Sequence, residues 1–231
     1  MRNLGLIGGM SWISTRVYLE QINRLIQRRT TPRTTAPLLV ECLNFAELHG
    51  TRDGAGWDNA GERLIESATK LEQAGAEALV ICANSMHKNF DRISEAVDIP
   101  ILHAADYIGK RVAEAGKTKV SLIGRRNVMT EAFFRERIVA HGVDLLPPDM
   151  NNVEQIDRII DEELMAGKVS RDAERALKTI ITQKEQAGAS AIILACTELE
   201  LVVDIDANVL PIFDSARIHC HAAADWIMGE E

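Results

Sequence analysis

The chain of 231 residues carries a formal net charge of −8, with 46% hydrophobic and 26% charged residues. This balance is typical of a soluble globular enzyme and argues against a nucleic-acid-binding protein, which presents a basic face. No apolar run approaches the roughly 20 residues that a membrane helix needs, and the first residues do not resemble a signal peptide. The four cysteines have no CxxC spacing, which predicts free thiols in a reducing compartment. We therefore expect a cytoplasmic protein with no membrane or nucleic-acid partner.

Short apolar runs alternate with amphipathic segments along the whole chain, a pattern that predicts strands alternating with helices. The predicted strands cover 4–7, 38–43, 78–82, 99–102, 120–123, 144–146, 191–195 and 209–212. The predicted helices cover 15–27, 61–74, 85–96, 104–115, 130–141, 152–165, 173–186, 198–203 and 216–228. This alternation indicates an α/β protein whose parallel sheets are covered on both faces.

The chain repeats itself once. Residues 72–82 and 185–195 share the run Glu-Gln-Ala-Gly-Ala and a following apolar strand, and two other pairs of segments match in the same order: 3–8 with 119–124, and 99–101 with 210–212. Three ordered matches indicate a two-fold duplication rather than a longer array of repeats. We expect two pseudo-symmetric parallel-sheet halves with the active site in the cleft between them. The first half would comprise residues 1–102 and 208–231, and the second half residues 103–207.

Ligands of open parallel sheets bind beyond the carboxyl ends of the strands, and three motifs follow predicted strands. The first is Gly-Gly-Met-Ser-Trp at residues 8–12. Two glycines let the backbone approach a ligand, and Ser11 could cap the next helix. A tight turn without a ligand explains the stretch equally well. It is neither a dinucleotide fingerprint nor a phosphate loop.

The second and third motifs occupy equivalent places in the repeat. Asn84 and Ser85 follow one predicted strand, and Cys196 follows its counterpart, so that the repeat pairs Ala83 with Cys196. A thiol before a helix start is expected to have a lowered pKa and to act as a base or nucleophile. The competing interpretations are simple helix capping for Asn84 and Ser85 and a buried apolar role for Cys196.

These motifs together resemble the aspartate/glutamate racemase family, whose members racemise amino acids without pyridoxal phosphate. The resemblance rests on residues 6–12, Asn84-Ser85-Met86-His87 and Ala195-Cys196-Thr197-Glu198, and extends to Pro-Ile-Phe-Asp-Ser at 211–215. It implies two α/β halves around one site and two cysteines facing each other across the substrate. One cysteine would remove the α-proton, and the other would return a proton on the opposite face.

The chain departs from this pattern at the first cysteine, because Ala83 stands in its place. Four accounts stay open at this point. Cys82 could rotate toward the substrate, or water or His87 could donate the second proton. Inversion could be slow or kinetically asymmetric, or the chain could no longer racemise.

The remaining roles follow by position from the resemblance. Asn84, Ser85 and Thr197 would hold the α-carboxylate and stabilise the enediolate-like transition state. Arg52 is the candidate clamp for an acidic side chain, with Lys168 as a weaker candidate. The full set expected to bind substrate is Met10, Ser11, Arg52, Asn84, Ser85, Thr197 and Glu198.

The sequence therefore predicts a racemase interconverting L- and D-aspartate or glutamate by thiol acid/base chemistry, with Cys196 as the acid/base and Ala83 marking the missing one. Two alternatives stay open: a one-thiol carbon-acid enzyme such as a decarboxylase, and a non-catalytic binder of acidic amino acids. We expect no cofactor, and no metal because no cluster has metal-ligand spacing. The partner is a small acidic amino acid, and a homodimer is possible.

Overall fold

The computed structural model describes residues 1–48 and 54–230. The chain divides into two compact units: Met1–His103 with His219–Glu231, and Ala104–Ile218. The sequence predicted the return to the first half at residue 208, whereas the chain returns at His219. The difference arises because the last strand, Ile212–Asp214, pairs within the sheet of the second unit.

The first unit contains a four-stranded parallel sheet in the order β2-β1-β3-β4. Its elements are β1 (Leu4–Gly8), α1 (Trp12–Arg29), β2 (Leu38–Cys42), α2 (Gly54–Gln73), β3 (Ala78–Ile81), α3 (Phe90–Ser94) and β4 (Ile101–Leu102). β1 and β3 are buried along their whole length, which explains their uninterrupted apolar sequences. Their side chains pack with those of α2 in one core cluster.

The second unit repeats this sheet, in the order β6-β5-β7-β8 and again parallel throughout. Its elements are α4 (Ala104–Glu114), β5 (Lys119–Gly124), α5 (Arg126–Thr130), α6 (Ala132–Val139), β6 (Asp144–Leu145), α7 (Met150–Glu162), α8 (Arg171–Gln186), β7 (Ala191–Ala195) and β8 (Ile212–Asp214). α9 (Ser215–Met228) carries the chain back to the first unit. The same strand order in both sheets confirms the predicted α/β class and is the order expected of a duplication.

Some predicted elements have different bounds. The helix predicted at 85–96 is a 3₁₀ helix, Asn84–Asn89, followed by α3. The helix predicted at 130–141 is α6, and a short helix that was not predicted, α5, precedes it. The two are separated by Glu131, which adopts an extended backbone with φ −95° and ψ 156°. The last strand begins after Pro211 rather than at 209, since proline has no N–H to donate to a strand ladder.

Close packing explains a glycine inside α2, where the sequence offers poor helix propensity. A Cβ on Gly61 would lie 2.2 Å from Nη1 of Arg92 and 2.7 Å from Oδ1 of Asn89. The glycine therefore lets α2 approach the end of the 3₁₀ helix Asn84–Asn89. No helix among the described residues is long and apolar enough to cross a membrane.

Candidate active site

Ala83 and Cys196 occupy the same backbone position in their respective units. Ala83 follows β3 with φ −153° and ψ 117°, and Cys196 follows β7 with φ −150° and ψ 127°. Each immediately precedes a 3₁₀ helix, Asn84–Asn89 in one unit and Thr197–Leu201 in the other. The backbone is thus repeated, whereas one position carries a methyl group and the other a thiol.

The thiol of Cys196 is hydrogen-bonded to the carboxylate of Glu198, two residues further along the chain. Its Sγ donates to Oε2 of Glu198 over 3.0 Å, and the Thr197 hydroxyl donates to the same oxygen over 3.0 Å. All three residues are buried, with 8%, 8% and 5% of their surface exposed. Thr197 and Glu198 are both predicted from the sequence to contact substrate. Their side chains form a compact acid–thiol cluster with Cys196.

The environment of Cys196 opposes the lowered pKa that the sequence suggested. Burial raises the pKa of the thiol, the negative charge of Glu198 raises it further, and the nearby Arg125 guanidinium lowers it, with the net shift well above the usual value. The following helix has only five residues and is of the 3₁₀ type, so its dipole is small compared with these effects. The resting group is therefore a protonated thiol, which already holds a proton that it could donate.

Arg125 was missed by the sequence reasoning. It directly follows β5, and the register places Gly124 opposite Ala195, so Arg125 and Cys196 leave neighbouring strand ends. The guanidinium is ion-paired with Asp161 and lies 3.6 Å from Asp157, both on α7. The available signal was its position: a charged residue immediately after the strand that duplicates β1.

In the first unit, the turn after β1 is shaped by Gly9, Ser11 and Thr15. Gly9 has φ +88°, and a Cβ there would lie 2.0 Å from the carbonyl oxygen of Leu43, so only glycine fits. The Thr15 hydroxyl accepts from Gly9 N–H over 2.8 Å and donates to Ser11 O over 3.1 Å. The Ser11 hydroxyl caps α1 by accepting from Ser14 N–H.

Met10 and Trp12 flank this serine in different environments. Met10 is 6% exposed and packs in the core of the first unit. Trp12, the first residue of α1, is 65% exposed. The sequence singled out the Gly-Gly-Met-Ser-Trp stretch but not the exposure of its indole.

The loop after β3 brings Asn84 and Ser85 directly behind Ala83. Asn84 is buried and Ser85 is half-buried, and both lie in the 3₁₀ helix rather than at a side-chain cap. The Ala83 carbonyl accepts from the Met86 N–H over 3.2 Å and from Nδ1 of His87 over 3.1 Å. Since a carbonyl can only accept, Nδ1 of His87 carries the proton.

His87 belongs to a buried aromatic cluster of the first unit. Its ring lies 4.5 Å from that of His103 and 5.9 Å from that of His219, measured between centroids. His219 approaches Leu102 O with Nε2 and the Tyr18 hydroxyl with Nδ1, both at 2.9 Å. Nε2 therefore carries the proton, and Nδ1 accepts from tyrosine. Burial, with the proximity of His87, lowers the pKa of His219 to about 3, which keeps the ring neutral.

Three other residues were singled out from the sequence: Cys82, Lys168 and Arg52. Cys82 is 1% exposed, and burial raises the pKa of its thiol far above the usual value. Lys168 is an exposed residue of the turn that follows the 3₁₀ helix Leu164–Ala166. Arg52, the expected clamp for an acidic side chain, lies outside the described residues.

Comparison with known proteins assigns the family. Residues 7–223 match the family model described as Asp/Glu/Hydantoin racemase. The chain belongs to this family. Its members include amino-acid racemases, and the racemase class predicted from the motifs is thereby confirmed.

Individual relatives agree with this assignment. Broad specificity amino-acid racemase RacX of Bacillus subtilis (strain 168) is 24% identical over 161 residues, spanning 69% of this chain and 68% of that protein. A crystal structure of an inferred Asp/Glu racemase from Yersinia pestis is 36% identical with a TM-score of 0.90, covering 99% of this chain and 100% of that one. An aspartate racemase homologue from Pyrococcus horikoshii OT3 is 29% identical with a TM-score of 0.84, over 99% and 100% of the two chains.

Proposed function

We propose that this racemase interconverts the enantiomers of an acidic amino acid, aspartate or glutamate, without a cofactor, and that Cys196 moves the α-proton on one face. The observation that carries the proposal is the 3.0 Å hydrogen bond from the Cys196 thiol to Glu198. A thiol that is hydrogen-bonded to a carboxylate can donate its proton to a carbanion, or it can transfer that proton to the carboxylate and act as a base. That is the pair of roles that α-proton transfer requires.

When Cys196 acts as the acid, its resting S–H is already in the required form. The thiol proton goes to the carbanion carbon, leaving a thiolate that takes a proton from solvent. In the reverse direction the S–H proton passes to Glu198, the thiolate then accepts the α-proton of the substrate, and Glu198 releases its proton to solvent. The raised pKa of Cys196 keeps the sulfur in the protonated form that the first direction uses and makes its thiolate the stronger base in the second.

The second face has no thiol in this account, because Ala83 carries only a methyl group. Cys82 is a poor substitute because it is buried and its pKa is raised. His87 is also a poor substitute, since its protonated Nδ1 is engaged with the Ala83 carbonyl and its ring packs against His103. We propose that water donates the proton on this face and is left as hydroxide, and that hydroxide accepts the α-proton in the reverse direction.

Water is a weaker acid than the thiol of Cys196, so the step on the Ala83 face limits the rate. The overall equilibrium between enantiomers is unaffected, and any asymmetry appears in kcat and KM separately. The predicted contacts of Asn84, Ser85 and Thr197 with the α-carboxylate, and of Arg52 with the side chain, belong to the same proposal. So does the prediction that the strand ends of both units contribute to one site.

The test is chiral chromatography of L- and D-aspartate and L- and D-glutamate incubated with the purified chain and with Cys196→Ser. Appearance of the opposite enantiomer with the unchanged protein, and its loss with Cys196→Ser, supports the proposal. Equal activity in both proteins would overturn it.

A second candidate function is a one-thiol carbon-acid reaction such as decarboxylation of a malonate-type acid. Two observations favour it: the resting Cys196 is a protonated thiol, and Ala83 at the equivalent position carries no acid/base group. Such an enzyme would release carbon dioxide and protonate one face only. Carbon dioxide release from a substituted malonate, without inversion of any amino acid, would favour this reaction over racemisation.

A further inference from the structure

The end of β5 places a fixed positive charge next to the reactive sulfur. β5 and β7 are parallel neighbours with Gly124 opposite Ala195, and the next residues along the two strands are Arg125 and Cys196. Adjacent strands lie about 4.8 Å apart. The two side chains therefore start from neighbouring backbone positions at the same edge of the sheet.

The guanidinium is held rather than mobile. Nη1 of Arg125 pairs with Asp161 and lies 3.6 Å from Asp157, and Nη2 lies 3.4 Å from the sulfur of Met165. Only 22% of the side chain is exposed. The backbone N–H of Arg126 also donates to Asp157 over 3.1 Å, so α7 anchors the whole turn that carries Arg125.

This arrangement is a poor clamp for a substrate carboxylate. Nη1 already pairs with Asp161 and Nη2 faces the sulfur of Met165, so few of the guanidinium N–H groups are left to bind a substrate carboxylate. The sulfur of Cys196 is better placed, because it starts from the adjacent strand end and interacts with the guanidinium through charge rather than through a hydrogen bond.

We propose that Arg125 is a positioning residue whose guanidinium stabilises the negative charge on Sγ of Cys196 when that sulfur has given up its proton. Asp157 and Asp161 fix the guanidinium in place. The inference deepens the proposed function and rests on it for the reaction step. The effect of Arg125 on the thiol can be measured without substrate.

Two charges of opposite sign then act on one sulfur. Glu198 bonds the thiol and favours its protonated form, whereas Arg125 favours the thiolate, and the pKa of Cys196 responds to both in these directions. A group that both donates and accepts a proton during the reaction must be able to adopt its thiol and its thiolate form. Glu198 and Arg125 act on Cys196 directly, and Asp157 and Asp161 pair with Arg125.

The test measures the thiol directly, in the full chain and without substrate. The rate of iodoacetamide alkylation of Cys196 is followed from pH 7 to pH 11 by peptide mass spectrometry. A Cys42→Ser background removes the exposed cysteine. The variants are Arg125→Met, Arg125→Lys and the matched control Arg126→Met. Arg126 is the neighbouring arginine, is more exposed, and pairs with Glu154 and Asp157 of the same helix.

We expect Arg125→Met to slow alkylation at pH 8 by about tenfold or more, because an adjacent opposite charge shifts a pKa by roughly one to three units. Arg125→Lys should restore most of the rate, and Arg126→Met should leave it unchanged. Superimposable profiles for Arg125→Met and the unchanged protein would overturn the proposal, as would an equal shift from Arg126→Met.

If Arg125→Met fails to fold because Asp161 loses its partner, the double variant Arg125→Met/Asp161→Asn removes that unpaired charge, and the same criteria apply. The rising limb of kcat/KM against pH supplies a second readout and should move with the alkylation profile. If the protein does not racemise, the pH profile of kcat/KM cannot be measured, but the alkylation comparison still decides the role of Arg125. Failure of the proposed function and failure of the Arg125 proposal are therefore distinguishable.

Discussion

Sγ of Cys196 and Oε2 of Glu198 are 3.0 Å apart, and both side chains are buried. The contact joins the group proposed to move the α-proton to a carboxylate that accepts its hydrogen. Since burial and Glu198 both raise the pKa of the thiol, the sulfur rests in its protonated form. Its chemistry therefore depends on a charge balance that substitutions can shift in either direction.

Glu198→Gln should make Cys196 more reactive toward iodoacetamide while lowering turnover. The amide keeps the size and an acceptor oxygen but removes the negative charge that opposes the thiolate, so we expect alkylation at pH 8 to accelerate by about tenfold. Glu200→Gln, a change in the same 3₁₀ helix, is the control and should alkylate at the unchanged rate. Slower alkylation of Glu198→Gln would contradict the charge assignment.

Ala83→Cys should increase racemisation. The position repeats the backbone of Cys196, and a positioned acid/base group contributes roughly 10²- to 10⁴-fold, so we expect kcat/KM to rise at least tenfold and equally for both enantiomers. Ala83→Ser adds a group of similar size with a far higher pKa and should give little gain. A folded Ala83→Cys protein no faster than the unchanged chain would show that the methyl group does not limit the rate.

The buried His219 should make the first unit sensitive to acid. Its pKa is about 3 in the fold, lowered from 6.5 by burial first and by His87 second, so between these values the unfolded chain binds more protons than the folded one. Stability therefore rises with pH in this window and is lost as pH falls from 6.5 toward 3, by up to about 1.4 kcal/mol per pH unit for one proton.

Urea unfolding between pH 7 and pH 4 measures this dependence. Tyr18→Phe/His219→Gln removes the titrating ring together with the hydroxyl that bonds it and should flatten the curve. Tyr18→Phe alone and His141→Gln, a change at an exposed histidine, should keep the slope. An undiminished slope in the double variant would assign the acid sensitivity to other groups.

Gly9→Ala should destabilise the turn after β1. The residue has φ +88°, and the added Cβ would meet the carbonyl oxygen of Leu43 at 2.0 Å, so we expect a loss of about 2 kcal/mol or more. Gly54→Ala, where nothing lies within 4 Å, should be neutral or slightly stabilising. Thermal melting compares the two, and equal melting temperatures would contradict the assigned strain.

The repeat predicted two similar parallel-sheet halves but not the strand order within them. The sequence located most strands well, because their buried residues form uninterrupted apolar runs. It misplaced the last strand, because Pro211 falls inside the apolar run at 209–212 and cannot donate to the ladder. It extended the helix after β3 because periodicity does not distinguish a 3₁₀ turn from the first turn of an α-helix.

The candidate site was predicted in part. The repeat identified Ala83 and Cys196 as equivalents, and their matching φ and ψ values agree. The raised pKa of Cys196 was not predictable, since it depends on burial and on which way the Glu198 side chain turns. The same holds for Arg125, whose partners on α7 lie more than 30 residues away along the chain.

The central claim is that Cys196 carries the α-proton of an acidic amino acid, and proton NMR in D2O tests it most directly. L- and D-aspartate and L- and D-glutamate are each incubated with the unchanged protein and with Cys196→Ser, and deuterium at Cα is followed. The account predicts deuterium in the enantiomer opposite to the starting material, lost in Cys196→Ser. No deuterium at Cα of any of the four, in a protein shown to be folded, would contradict it.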